Sequence, residues 1–222
     1  MSAPAAQLDA VSVSIDGQAL LAPTSLRVER GHAVAVRGRN GSGKTTLLRV
    51  LAGAQRASTG SARVFGEPAD VRSTALRRRL AALLGPPPIA RELTVREQLR
   101  FIGASWGTPH VDAAADGLLE ALGIAHLGRR FGHELSSGQL QLFTLALTLA
   151  RPAELLVLDE PEQRLDEGRR ALVAQVLRER IERGAALVFA SHSPDLIDRL
   201  ADHSITVHEP TDPSEPNDPA AP

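Results

Sequence analysis

Apolar and polar positions alternate near the start of the chain, where single serines separate Val11, Val13 and Ile15. A period of two is typical of a strand with one buried face. The dipeptide Asp16–Gly17 follows and favours a tight turn, so this segment is interpreted as an edge hairpin. Similar short apolar patterns predict further strands at residues 26–29, 33–36 and 61–65.

Unbroken apolar runs later in the chain indicate strands buried on both faces, as in a parallel sheet. These runs lie at residues 155–158 and 187–190, and a last strand is predicted at 205–207. Helices are predicted between and around them, at residues 44–52, 113–122, from Ser136 or Ser137 to Pro152, and 167–183. Residues 73–132 are predicted to be mostly helical. The pattern therefore indicates an α/β fold with a parallel core and a helical insert.

Helix-capping signals support this division. Thr94 and Glu97 have the spacing of a capping box. Ser193 precedes Pro194, which favours a helix beginning at that proline. From Glu209 the chain consists mainly of proline and acidic residues, so 209–222 is predicted to be a disordered tail.

Composition narrows the classes of function. The formal net charge is −1, which gives no general attraction for nucleic acid, and the absence of cysteine excludes thiolate metal sites and cysteine nucleophiles. The N-terminus lacks the pattern of a signal peptide, and the most apolar helical stretch is too short to span a bilayer. If the protein serves transport, we expect the membrane part to be another chain.

The glycine-rich segment 38–45 matches the pattern G-x-x-x-x-G-K-[ST], and it lies between a predicted strand and a predicted helix. This pattern and context are typical of a P-loop, whose main-chain N–H groups surround phosphates at a helix N-terminus. Lys44 is the one lysine among 25 basic residues, and its compact charge suits the β and γ phosphates. The residues predicted to bind nucleotide are Gly38, Asn40, Gly41, Ser42, Gly43, Lys44, Thr45 and Thr46.

The apolar run at 155–158 delivers Asp159 and Glu160 at the carboxyl end of its strand. In a P-loop protein, this position predicts that Asp159, with the hydroxyl of Thr45, binds Mg²⁺ and that Glu160 polarises the attacking water. Small-molecule kinases and GTPases share these two motifs, so the motifs alone leave the family open.

The segment Leu135-Ser136-Ser137-Gly138-Gln139 resembles the signature L-S-G-G-Q of the ABC ATPases, with Ser137 in place of the first glycine. Its residues Ser136, Ser137, Gly138 and Gln139 are therefore predicted to bind ATP as well, through a second helix N-terminus. With His192, which follows an apolar strand, the order of motifs is similar to that family over residues 8–208.

The resemblance implies a fold with a P-loop NTPase core of mostly parallel strands, an antiparallel β edge subdomain and an inserted helical subdomain. It implies one domain over residues 1–208 with the helical insert at about 73–150. It also implies that the signature of one subunit closes over the ATP held by another, homo- or heterodimeric, and that His192 contacts the γ-phosphate as a catalytic residue beside Glu160.

Three positions depart from the family pattern. Ile15 occupies the place of the aromatic residue that stacks on adenine, so it is predicted to pack on the base with an aliphatic side chain. Gly85 or Pro86 replaces the glutamine of the loop that joins core and insert. The pair Gln163-Arg164 replaces a small Ser-Ala pair at the expected dimer seam, so packing there is expected to differ. From the three departures together, hydrolysis is expected to be present but slow or dependent on a partner.

The resemblance thus implies an ATP-hydrolysing subunit of a bacterial ABC transporter, with ATP and Mg²⁺ as ligands and no nucleic acid partner. A separate membrane permease is expected to hold it at the cytoplasmic face of the membrane. A groove near residues 84–99 is expected to receive a permease helix, although Leu93, Val95 and Leu99 fit a core position equally well. The alternatives are a soluble ABC ATPase without a transport role and a weakly hydrolysing regulatory subunit of a heterodimer.

Overall fold

The computed structural model describes residues 3–210. Its strands are β1 (Ala6–Ile15), β2 (Gln18–Val28), β3 (Ala33–Arg37), β4 (Thr59–Val64), β5 (Glu67–Pro68), β6 (Leu80–Leu83), β7 (Leu155–Asp159), β8 (Ala186–Ala190) and β9 (His203–Thr206). Its α-helices are α1 (Lys44–Leu51), α2 (Thr74–Arg79), α3 (Val95–Ser105), α4 (Val111–Ala121), α5 (Ser137–Leu149), α6 (Glu167–Glu182) and α7 (Pro194–Leu200). Residues 211–222 of the predicted tail lie outside the described residues.

A five-stranded parallel sheet with the order β6-β7-β8-β3-β9 forms the centre of the fold. Every residue of β8 is buried, and β7 is buried from Leu155 to Leu158. Strands covered on both faces need apolar side chains at every position, which explains the unbroken apolar runs in the sequence. The predicted parallel core is confirmed.

The first two strands belong to a separate antiparallel sheet with the order β2-β1-β4-β5. The hairpin turns at Asp16 and Gly17, whose φ angles are 50° and 82°. Positive φ at both central residues is typical of a two-residue hairpin turn of type I′. The predicted edge hairpin is therefore confirmed, with Val13 buried and Ile15 51% exposed at the end of β1.

The parallel sheet lies between two hydrophobic clusters. Alternate side chains of β3 separate to opposite faces, as the strand period of two requires. Ala33 and Ala35 pack in one cluster, and Val34 and Val36 pack in the other. The first cluster contains the apolar faces of α3 to α7, whereas the second contains α1 and the antiparallel sheet. The order of layers is therefore antiparallel sheet with α1, parallel sheet, and helices.

Side chains cap the helices where the sequence predicted. Thr94 and Glu97 form the capping box of α3. Ser136, rather than Ser137, caps α5 and forms a second capping box with Gln139. Ser193 caps α7, with Pro194 in its first turn. These caps satisfy main-chain N–H groups that lack partners within the helices.

The prediction that residues 73–132 are mostly helical overlooked one strand of the central sheet. Leu80–Leu83 forms β6, which pairs in parallel with Leu155–Leu158 of β7. The predicted helical insert at 73–150 therefore contains a core strand near its start, which is a correction to that interpretation. The run Leu-Ala-Ala-Leu follows three arginines, and alanine, leucine and arginine all favour helices, so pairing with β7 overrides local propensity here.

Candidate functional site

The loop between β3 and α1 wraps around the N-terminus of α1. Gly38, Gly41 and Gly43 have φ angles of 151°, 84° and 102°, which favour glycine. A Cβ atom on Gly43 would lie 2.6 Å from the carbonyl oxygen of Leu20, so the loop also packs too closely on β2 for a larger residue. A glycine-rich loop that leads directly into the N-terminus of a helix is the arrangement found in phosphate-binding loops.

Lys44 lies at the first turn of α1 and is only 7% exposed. Its Nζ atom donates to the carbonyl oxygens of Gly38 and Arg39, each at 2.9 Å. These bonds hold the ammonium group inside the loop, where an anion would meet it. Among the described residues the buried hydroxyl of Ser42 has no hydrogen-bond partner, so the loop retains an unused donor.

Thr45 connects the loop to the adjacent strand. Its hydroxyl donates to Oδ2 of Asp159 at 2.6 Å, and Asp159 ends β7. A hydroxyl and a carboxylate oxygen at this distance are the kind of ligands that Mg²⁺ prefers beside phosphates. The two residues predicted to bind the metal are therefore brought together, and their chemistry fits that ion.

Glu160 follows in a strained conformation, with φ at 48°. Its main-chain N–H donates to the carbonyl oxygen of Ala190, which ends β8, at 3.0 Å. Its Oε1 atom lies 3.4 Å from Nε2 of His192, and its Oε2 atom accepts from Nε2 of Gln163 at 2.8 Å. The acid and the histidine predicted to be catalytic thus meet at the carboxyl ends of two neighbouring strands.

Two cavities meet at Glu160. The first has a volume of about 330 Å³ and is lined by Gln18, Ala19, Leu20, Asn40, Gly41, Gly43, Lys44, Thr45, Thr46 and Glu160. The second has a volume of about 190 Å³ and is lined by Leu83, Gly85, Pro86, Ser137, Leu140, Gln141, Thr144, Asp159, Glu160, Gln163 and Arg164. The cavity that contains Lys44, predicted to bind phosphate, is therefore adjacent to the cavity beside Glu160, which is predicted to polarise the attacking water.

The signature segment forms the N-terminus of α5. The hydroxyl of Ser136 accepts from the main-chain N–H of Gln139 at 3.4 Å, and a Cβ atom on Gly138 would lie 2.9 Å from the carbonyl oxygen of Arg164. Of the described residues that line the Lys44 cavity, none belongs to the signature, and Ser137 alone of the four lines the neighbouring one. Within one chain the two predicted anion sites are separate.

The departures from the family pattern have clear positions. Gly85 and Pro86 line the smaller cavity, where neither supplies a hydrogen-bonding side chain. Ile15 is exposed and does not line the Lys44 cavity, whereas Gln18, Ala19 and Leu20 do. The predicted contact of Ile15 with the base therefore stays a prediction. Gln18, Ala19 and Leu20 carry no recognisable motif, so their place in this cavity is not evident from the sequence.

Comparison with known proteins supports the interpretation of these motifs. The family model described as ABC transporter matches residues 21–163. An ABC transporter ATP-binding protein of Brucella suis is 35% identical over 92% of this chain and 86% of its own length. A nickel import ATP-binding protein of Rhodobacter capsulatus is 31% identical over 92% of this chain and 85% of its own.

A solved structure described as the ATP binding subunit of an ABC transporter has a TM-score of 0.81 and 23% identity. It covers 91% of this chain and 85% of that one. At this identity the likeness shows the fold, an α/β architecture of the ABC ATPase type. Given the family model and the identities of its relatives, the chain belongs to the family of ABC transporter ATP-binding proteins.

Proposed function

We propose that the chain binds ATP with Mg²⁺, hydrolyses it, and drives transport through a separate membrane permease. The observation that carries the proposal is the convergence of Lys44, Thr45, Asp159 and Glu160 on two adjoining cavities, with Nε2 of His192 lying 3.4 Å from Oε1 of Glu160. These groups come from three segments of the chain, at residues 44–45, 159–160 and 192. They supply a cation to bind phosphate, two metal ligands, a carboxylate and a polar partner for that carboxylate.

Each group has a chemical task that its position supports. Lys44 neutralises the β and γ phosphates when its Nζ atom exchanges the carbonyls of Gly38 and Arg39 for phosphate oxygens. Thr45 and Asp159 hold Mg²⁺, which supplies charge neutralisation at the phosphates. Glu160 accepts a proton from the attacking water, and His192 holds the γ-phosphate end of the site.

The site requires a second ATP-binding subunit. The N-terminus of α5, with Ser136 and Gly138, offers main-chain N–H groups and a positive dipole end suited to phosphate. Since these residues do not line the Lys44 cavity of their own chain, we propose that they close over the nucleotide of a partner subunit, a second copy or a close relative.

An apolar groove supports the permease partner. It has a volume of about 490 Å³ and is lined by Ala82, Pro87, Pro88, Ala90, Leu93, Gln98, Phe101, Ile102, Leu147, Thr148 and Arg151. Leu93 lines the groove, whereas Val95 and Leu99 are buried in the core. Phe101 is 64% exposed at its edge. We propose that an apolar permease helix binds here and holds the chain at the cytoplasmic face of the membrane.

A weakly hydrolysing regulatory subunit of a heterodimer is the second candidate. It is favoured by Gly85 and Pro86, which leave the cavity beside Glu160 without the glutamine of the family pattern. It differs from the first candidate in turnover, because a regulatory subunit binds ATP without hydrolysing it at a useful rate.

ATP binding is tested by Lys44→Ala. Loss of the ammonium removes a charge-assisted contact to phosphate, so ATP binding should weaken about 10- to 100-fold in a calorimetric titration. Arg49→Ala is the matched control, because Arg49 is an exposed cation on the same helix. Equal affinity of Lys44→Ala and the unaltered chain would contradict the assignment of the nucleotide site.

A further inference from the structure

The turn after Glu160 places a carboxamide directly on the carboxylate of that residue. Nε2 of Gln163 donates to Oε2 of Glu160 at 2.8 Å. The main-chain N–H of Gln163 also donates to the carbonyl oxygen of Glu160, 3.1 Å away. Gln163 therefore contacts Glu160 through both its side chain and its main chain, and the main-chain hydrogen bond closes the turn between them.

Gln163 lies close to the loop in which Gly85 or Pro86 replaces the glutamine of the family pattern. It lines the same cavity of about 190 Å³ as Gly85 and Pro86. Another amide in this cavity, that of Gln141, donates to the carbonyl oxygens of Glu160 and Pro161 at 3.1 and 3.2 Å. The side chain of Gln141 thus fixes the main chain, whereas that of Gln163 contacts the carboxylate.

The carboxylate of Glu160 is consequently held from two sides. His192 approaches Oε1 and Gln163 binds Oε2. A serine at position 163, as in the family pattern, carries its hydroxyl directly on Cβ and has a shorter reach than a glutamine amide. Arg164 at the next position has a positive φ of 64°, so the turn keeps a conformation that is unfavourable for most residues.

We propose that Gln163 is a positioning residue for hydrolysis, which orients Glu160 and supplies the carboxamide that Gly85 and Pro86 lack. The amide N–H holds one carboxylate oxygen, and the amide oxygen is able to accept from a water in the cavity. This inference rests on the proposed hydrolysis of ATP. It places the replacement of the missing glutamine in the same cavity as Gly85 and Pro86.

The test compares steady-state ATP hydrolysis by the full chain and by Gln163→Ala. The variant should lower kcat about tenfold or more, because it frees a charged group from a hydrogen bond, and should leave KM for ATP and the unfolding temperature unchanged. Gln175→Ala is the matched control, since Gln175 is exposed on α6 and should keep the original kcat.

A rescue variant separates positioning from a structural role. Pro86→Gln returns a carboxamide to the cavity and is preferred to a change at Gly85, whose φ of 137° disfavours other residues. Added to Gln163→Ala, it should recover part of the lost kcat. An unchanged kcat in Gln163→Ala, a rise in KM in its place, or no recovery with Pro86→Gln would overturn the inference.

Measurements on two variants distinguish a failure of the positioning role from a failure of the proposed hydrolysis. Turnover that is lost in Glu160→Gln but unchanged in Gln163→Ala removes the positioning role and leaves ATP hydrolysis intact. An absence of Glu160-dependent turnover in the unaltered chain removes both.

Discussion

At the scale of single residues, Phe65 and Glu154 join the two sheets through a pair of arginines. The guanidinium carbons of Arg79 and Arg30 lie 3.6 and 4.7 Å from the centroid of the Phe65 ring. Both arginines form ion pairs with Glu154, which directly precedes β7, and that of Arg79 is bidentate. Phe65 directly follows β4, so this group ties the antiparallel sheet to the parallel one.

This group predicts a pH-dependent contribution to stability. Hydrogen bonds from Arg79 and Arg30, with their charges, lower the pKa of Glu154 from 4.5 to about 2. Because folding lowers the pKa of this carboxyl, the ionised group stabilises the folded state at pH values above 4.5. This contribution is lost as the pH falls from 4.5 towards 2. Because Glu154 is 43% exposed, Glu154→Gln should cost about 1 kcal/mol at pH 7, well below the full shift.

Chemical denaturation at several pH values measures this effect. The difference in free energy of unfolding between the two chains should shrink as the pH falls from neutral towards 2. Glu120→Gln, a change at an exposed carboxylate on α4, is the control and should alter stability little at any pH. A difference that grows on acidification would refute the account of Glu154.

Residues of the site were predictable where they are contiguous in sequence and unpredictable where tertiary structure brings them together. The P-loop and Asp159-Glu160 carry their own patterns, since phosphate and metal binding restrict residue type and spacing. The bond from Gln163 to Glu160 depends on a turn with an unusual φ at Glu160, which no local pattern specifies. The sequence marked Gln163 as a departure and did not indicate what it contacts.

At the scale of elements, long periodic segments were predicted well and a short one was not. The buried strands β7 and β8 and the capped helices follow from apolar runs and N-cap residues. Strand β6 has four residues of strong helix propensity, and its pairing with β7 decides its conformation. Its position also contributes to the apolar groove, which is lined by Ala82 of β6, by the loop that follows β6, and by residues of α3 and α5.

If the permease binds in the apolar groove, a charge at Phe101 should weaken permease binding. Phe101→Asp places a charge at the edge of an apolar surface, so the permease should be lost from the complex during affinity purification. Val71→Asp is the control, because Val71 is another exposed apolar residue that does not line the groove. ATP binding should be unaltered in both variants. Retention of the permease by Phe101→Asp would exclude the groove as its binding surface.

At the scale of the whole molecule, the P-loop and the signature segment lie in separate places on one chain. Lys44 lies at the N-terminus of α1 and the signature at the N-terminus of α5. Within residues 3–210 no helix is long and apolar enough to cross a membrane. The fold thus contains the Lys44 cavity, the signature segment and an apolar groove. These three features support the proposed function with two partners, a second ATP-binding subunit and a membrane permease.

We propose that this chain hydrolyses ATP with Glu160 as the acceptor of the water proton. The most direct measurement is Mg²⁺-dependent phosphate release from ATP by the unaltered chain and by Glu160→Gln. The amide has the shape of the carboxylate and cannot accept the proton at neutral pH, so the variant should bind ATP and lose turnover about 100-fold or more. Equal rates of phosphate release from the two chains would contradict the account.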